Sequence, residues 1–175
     1  MTYFTHALGG AIAGSLVLMA ADYTGTDELL IFSGAVIGSL LPDIDHRQSK
    51  ISRSSAAATV TSWITSLFTK HRGVLHTPFF IILTSLVCGA GIIIIPGEVQ
   101  IAVKLIMIGL IPGMWSHIIL DTLNPGGIMW IYPLSRKYFN ILSIKTGSIL
   151  EAATAMMLAV LLYILLKWSG LFYAI

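Results

Sequence analysis

The five histidines of this 175-residue chain all fall in short polar clusters that interrupt strongly hydrophobic runs. The clusters are Thr5-His6, Pro42-Asp43-Ile44-Asp45-His46, His71 with His76, and His117 with Asp121, and Glu151 adds a carboxylate at the head of the last apolar run. Imidazole and carboxylate are the side chains that hold divalent cations. Gathered against a bilayer they are costly unless something binds them. A metal centre is the chemistry these residue types suggest, with His6, Asp43, Asp45, His46, His71, His76, His117 and Asp121 as candidate ligands.

The spacings carry different weight. In His117-Ile118-Ile119-Leu120-Asp121 the two polar residues lie four apart, on one face of a helix. Both can reach one ion or bridge two, and a plain histidine–aspartate hydrogen bond is the bland alternative. Asp43 and Asp45 follow the helix-ending Pro42. In extended chain they would point the same way, and two such carboxylates repel unless a cation lies between them; a solvated acidic turn beside Arg47 is the alternative. His71 and His76, five apart, do not share a helix face, so a turn at Gly73 is expected. Arg72 could clamp an anionic oxygen such as phosphate, or merely anchor the chain at the membrane surface. Glu151 completes Ser148-Ile149-Leu150-Glu151, a capping-box spacing, so it is either a cap or a ligand or general base. Glu151, Arg72 and Asp45 are the candidates for direct catalytic roles.

These residues must be positioned by membrane-embedded elements. Hydrophobic residues make up 56% of the chain and charged residues 10%, far below the roughly 25% charged of soluble domains, and mean hydropathy is +0.88. The chain is expected to be a single all-α domain over residues 1–175: a polytopic bundle of about five membrane segments. The segments run from about Tyr3 to Ala21, Asp27 to Leu41, Pro78 to Ile95, Val99 to Leu120 and Ile149 to Trp168, the second being short for a full span. Thr26 is an expected N-cap, Thr77-Pro78 a cap with proline at the first helical position, Pro96-Gly97 a break, and Asn124-Pro125-Gly126-Gly127 a turn. Gly10 with Gly14 and Gly34 with Gly38 have the spacing of close helix packing. Residues 54–69, with Ile64, Leu67 and Phe68 on one face, suggest an interfacial helix. The single cysteine, Cys88, lies within an apolar run and reads as a packing residue. No basic stretch precedes the first segment, which argues against a cleaved signal peptide.

Eight of the ten basic residues fall in the loops 42–77 and 121–148. The positive-inside rule makes that side, and with it the N-terminus and every polar cluster, cytoplasmic. Trp130, Tyr132, Tyr138 and Phe139, with Arg136 and Lys137, suit the headgroup layer. The net charge of +2 and the lack of basic runs give no reason to expect nucleic acid as a partner. No Gly-rich phosphate loop, HExxH or GxSxG occurs, which disfavours P-loop enzymes, zincins and serine hydrolases.

Taken together, Thr-His-x-x-x-Gly, Pro-Asp-x-Asp-His, His-Arg-Gly-x-x-His-Thr and Ser-His-x-x-x-Asp-x-x-Asn-Pro-x-Gly resemble the YdjM-type family. Its members are inner-membrane proteins, some LexA-regulated, regarded as metal-dependent hydrolases. The resemblance spans essentially the whole chain. A more distant similarity is to zinc-dependent phospholipase C and S1/P1-type nucleases, whose polynuclear zinc sites include an HxxxD element, here His117 and Asp121. The resemblance implies a metal-dependent hydrolase of the inner membrane with one to three divalent ions, zinc foremost and manganese as the alternative. It also implies a phosphoester substrate, such as a phospholipid or lipid-linked phosphate, drawn from the membrane lipid around it. Two other functions fit the same residues: a metal or proton transporter, which would spread polar groups along a path near the midplane, and a non-enzymatic membrane protein with a structural metal. Oligomeric state is not legible.

Overall fold

A computed structural model describes residues 1–21, 23–45 and 73–169, with the side chains of Ile44 and Asp45 excepted. The 54–69 segment, Asp45's side chain, His46, His71 and Arg72 therefore lie outside the described residues. Five α-helices and two 3-10 turns make up the regular structure of the described residues, which contain no strand: α1 Tyr3–Ala20, α2 Thr26–Leu40, a 3-10 turn Leu41–Asp45, a second Val74–His76, α3 Pro78–Ile93, α4 Gly97–Asp121 and α5 Ile149–Ser169. The fold is an all-helical membrane bundle. Helices α1, α4 and α5 are long and apolar enough to cross a membrane. Helix α3, at 16 residues, and α2, at 15, are about 22–24 Å long at 1.5 Å per residue, short of a ~30 Å hydrocarbon core.

The ends follow local chemistry. Thr77 caps α3 by accepting the Phe80 amide on its hydroxyl at 3.2 Å, with Pro78 at the first turn. The expected cap of α2 moves by one residue: Gly25, at φ 63°, precedes the helix and Thr26 is its first residue. The turn after α4 closes with the Gly127 amide on the Asn124 carbonyl at 3.0 Å. Gly127 has φ 56°, and a Cβ there would lie 2.4 Å from the Phe139 carbonyl oxygen, so both backbone conformation and space require glycine. The loop that follows is tied back to the end of α4: Ile128 pairs with Phe139, the Ile141 and Ile144 amides donate to the Thr122 and Leu123 carbonyls, and the Trp130 indole donates to the Thr122 hydroxyl.

Small residues set the spacing of the bundle, as lipid supplies no hydrophobic drive for helices to associate. Helix α2 packs most extensively on α4, and α1 lies against both. A Cβ at Gly34 or Gly38 would come within 2.2 and 2.1 Å of the Ile106 and Leu110 carbonyl oxygens of α4. Reciprocally, a Cβ at Gly109 or Gly113 would come within 1.9 and 2.0 Å of the Ile31 and Ala35 carbonyl oxygens of α2. Gly10 does the same on α1, against Ser39 and Ala35. One apolar cluster, Leu18, Ile31 and Leu105, fills one end of the bundle. The other, Ile81, Met114, Ile118 and Ile128, lies beside the histidines. Helix α5 is peripheral: it packs on α1, and Glu151 is its one buried residue.

Candidate metal centre

Five of the candidate ligands converge at one end of the bundle: His6 in the first turn of α1, Asp43 in the turn after α2, His76 in the turn before α3, and His117 and Asp121 in the last turns of α4. His6 and His117 are fully buried, Asp121 and His76 nearly so. Two overlapping groups, His6–Asp43–His117 and His76–His117–Asp121, each bring their ligand atoms within 4.8 Å of one another. His117 belongs to both.

The HxxxD spacing works as expected of a helix: His117 Nε2 is 3.7 Å from Asp121 Oδ2. The same nitrogen is 3.7 Å from Asp43 Oδ1. His76 Nε2 is 3.1 Å from Asp43 Oδ1 and 3.8 Å from Asp121 Oδ2, and His6 Nε2 is 3.4 Å from Asp121 Oδ1. The His6 and His117 rings stack with centroids 3.8 Å apart and 16° between planes. Asp43 sits in a 3-10 turn rather than extended chain, so the expected alternation of Asp43 with Asp45 is replaced by a tighter winding of three residues per turn.

Tautomers follow from the partners. His117 Nδ1 is 2.7 Å from the Ser39 carbonyl oxygen, which can only accept, so Nδ1 carries the proton and donates. In a neutral ring Nε2 is then a lone pair, and it faces two carboxylate oxygens that are also acceptors. Acceptors are not buried face to face without a cation between them. His6 Nδ1 and Nε2, His76 Nδ1 and His117 Nε2 are buried without a hydrogen-bond partner. Donors about 2.0–2.1 Å from one zinc ion lie roughly 3.3 Å apart in a tetrahedron, close to the separations seen here. The stacked His6 and His117 rings would repel one another if both were protonated. The residues therefore fit a divalent cation. A backbone carbonyl orienting the far ring nitrogen is the support that metal-binding histidines regularly have.

Burial pushes the Asp43 carboxyl up, but the His76 hydrogen bond and the charges of His117, His6 and His76 outweigh it and hold the pKa at about 2. A depressed carboxyl contributes stability above its ordinary value of 3.8 that is lost only as pH falls toward 2. Asp43 is thus an anion at every working pH.

Three positioning groups are not singled out by sequence reasoning. Asn124 Nδ2 donates to Asp121 Oδ1 at 3.0 Å, and the Met1 amine lies 3.1 Å from the same oxygen. In sequence Asn124 reads as a turn residue, and its position three after Asp121, at a helix end, is the signal for this second role. The Ser39 carbonyl is a backbone atom and leaves no trace in side-chain patterns.

Glu151 stands apart from both ligand groups. Its Oε2 accepts the Gly147 amide at 2.6 Å, and its Oε1 accepts the Thr2 amide and, at 3.2 Å, the Thr5 hydroxyl. The Ser148 hydroxyl in turn accepts the Glu151 amide. The Ser148 cap is realised, but the Glu151 carboxylate takes the Gly147 amide in place of that of Ser148, and the same carboxylate latches α5 to the start of α1. Glu151→Ala is expected to lower the thermal midpoint in detergent by several degrees while leaving metal content near that of the wild type. Losing charge-assisted hydrogen bonds at ~1.5–3 kcal/mol each loosens α5 but removes no ligand. Fluorescence-detected melting paired with metal analysis measures both.

Residues 1–174 of the 175 match the model of the YdjM inner membrane protein family. The chain belongs to that family. A member-like relative, an uncharacterized protein YvsG of Bacillus subtilis (strain 168), is 33% identical over 151 residues, covering 86% of this chain and 85% of its own. No solved structure matches. In this YdjM-family chain, His6, Asp43, His76, His117 and Asp121, one or two from each of the four motifs, form one cluster. His46, His71, Arg72 and the Asp45 side chain lie outside the described residues.

Proposed function

We propose that this protein is a multi-pass membrane hydrolase that uses divalent metal to cleave a phosphoester at the cytoplasmic face. The observation that carries the reading is the buried His117 Nε2, without a hydrogen-bond partner and 3.7 Å from carboxylate oxygens of both Asp43 and Asp121. When bound, a divalent ion supplies Lewis acidity toward a phosphoryl oxygen and activates water near neutral pH. His6, Asp43, His76, His117 and Asp121 would hold it, zinc by donor type, with manganese as the alternative. Two ligand groups that share His117 accommodate one ion or a pair. Ser39 and Asn124 fix the orientation of His117 and Asp121. Asp43, the most exposed of the five, is the side from which substrate and water reach the cluster. Asp45, His46, His71 and Arg72 flank it in sequence, and Arg72 is suited to hold an anionic phosphoryl group.

Cytoplasmic orientation rests on the eight basic residues in the sequence stretches 42–77 and 121–148. Membrane lipid is the nearest source of phosphoester at that depth, as phospholipid or lipid-linked phosphate. The gathering of polar groups at one end, with Leu18, Ile31 and Leu105 closing the other, supports chemistry at a face rather than passage through the bilayer.

The test is metal analysis of protein purified in detergent, paired with hydrolysis of a soluble phosphodiester and of phosphatidic acid. The expected result is at least one divalent ion per chain and turnover that a chelator abolishes and added Zn²⁺ or Mn²⁺ restores. Bound metal without turnover on either substrate would instead indicate a structural centre.

A further inference from the structure

A groove of about 500 Å³ runs between the start of α1 and α5. Its mouth is polar, formed by Thr5 and Glu151, and its walls are apolar, formed by Phe4, Ala155, Met156 and Ala159. The size is that of ligand sites, about 300–1,000 Å³. From Glu151 to Ala159 is eight helical residues, about 12 Å of descent at 1.5 Å each. The groove therefore starts at the depth of the metal centre and leads away along an apolar helix. Its mouth lies next to that centre: Thr5 precedes His6, and the Thr2 amide bonds Glu151 while the neighbouring Met1 amine lies against Asp121. Its other side opens to the surroundings of α5, whose residues beyond Glu151 are not buried.

We infer that this groove seats one hydrocarbon chain of a phospholipid whose phosphate lies at the histidine–aspartate cluster. A polar mouth beside the cluster, apolar walls and a lateral opening match one amphiphile lying along the bilayer normal, and a phosphoester without an apolar tail would leave the walls empty. Moving a chain from bilayer to groove gains no hydrophobic free energy, as lipid tails are as apolar as the walls. The groove acts through fit and placement: it fixes the headgroup relative to the cluster, converting lateral diffusion into a held geometry. Ala155 and Ala159 keep the channel open, where larger side chains would close it. The assignment rests on the hydrolase reading for the identity of the headgroup, but the chain site itself is tested separately.

The experiment is photolabelling in phosphatidylcholine nanodiscs with phosphatidic acid that carries a diazirine in one acyl chain, followed by peptide mapping. Label is expected to concentrate on Phe4, Ala155, Met156 and Ala159. Ala155→Phe should cut it by about tenfold, the effect of overfilling a site by one aromatic ring. Val160→Phe, at an exposed position on the same helix that does not line the groove, should leave it unchanged. Monodisperse elution and the thermal midpoint in detergent report folding in each variant, and Ala159→Phe, a turn deeper, replaces Ala155→Phe if the latter aggregates. Label spread evenly around α5, or unchanged by both groove variants, overturns the chain site. Even labelling with intact turnover on a soluble phosphodiester removes the groove and keeps the hydrolase. Concentrated labelling with no turnover on any phosphoester keeps the groove and removes the hydrolase.

Discussion

His117→Ala is expected to strip the protein of metal and of any hydrolytic activity at once, while Asp43→Asn leaves a weakened but detectable site. His117 is the ligand common to both donor groups, and its ring also stacks on His6. Its loss therefore opens both groups and frees the neighbouring imidazole. Asp43 is partly exposed, with its side chain 31% accessible, so water can take its place. Metal content by mass spectrometry should fall below about a tenth of wild type for His117→Ala, in line with the steep cost of leaving buried polar groups unpaired. Because the Asp43 pKa is held at about 2, the deficit of Asp43→Asn is the loss of an anion that is always present. It should be constant across roughly pH 5 to 8, whereas metal in both proteins should fall together on acidification, as protons compete with the cation for its ligands. Metal retained at wild-type level in His117→Ala would sink the assignment of the centre.

The ligands that could be read from sequence were those whose chemistry is local. His117 and Asp121 declare themselves by four-residue spacing on a helix, and the structure keeps that spacing. Asp43, His76 and His6 come from three other stretches. Their meeting was legible only through topology, since the positive loops place every cluster on one side. Thr77-Pro78 and Ser148-x-x-Glu151 are short-range codes and were realised as caps. What the sequence did not disclose was long-range. The extended reading of Asp43 and Asp45 gave way to a 3-10 turn, because Pro42 lies inside the winding rather than ending it. The second ring contact of His117, to a carbonyl of α2, depends on how closely two helices approach. Gly109 and Gly113 set that approach and went unremarked, although they repeat the spacing seen at Gly34 and Gly38.

Gly113→Ala is accordingly expected to weaken metal binding by about 10- to 100-fold, the range typical when support behind a metal ligand is disturbed, although it touches no ligand. The added Cβ would lie 2.0 Å from the Ala35 carbonyl oxygen, closer than any real contact, and backbone on a packed helix cannot swing aside as a side chain can. Helices α2 and α4 must separate there. Gly113 is one turn before His117 and Ala35 one turn before Ser39, so the separation falls on the 2.7 Å hydrogen bond between His117 Nδ1 and the Ser39 carbonyl. With that bond stretched the ring loses its fixed tautomer and orientation, and its metal-facing nitrogen is no longer aimed at Asp43 and Asp121. Gly89→Ala, where a Cβ meets nothing within 4 Å, is the matched control and should bind metal as the wild type does. Competition with a chromogenic chelator reads both affinities. Equal affinity in Gly113→Ala and Gly89→Ala would mean that the α2–α4 contact does not hold the histidine in place, and that the metal alone sets the geometry of its ligands.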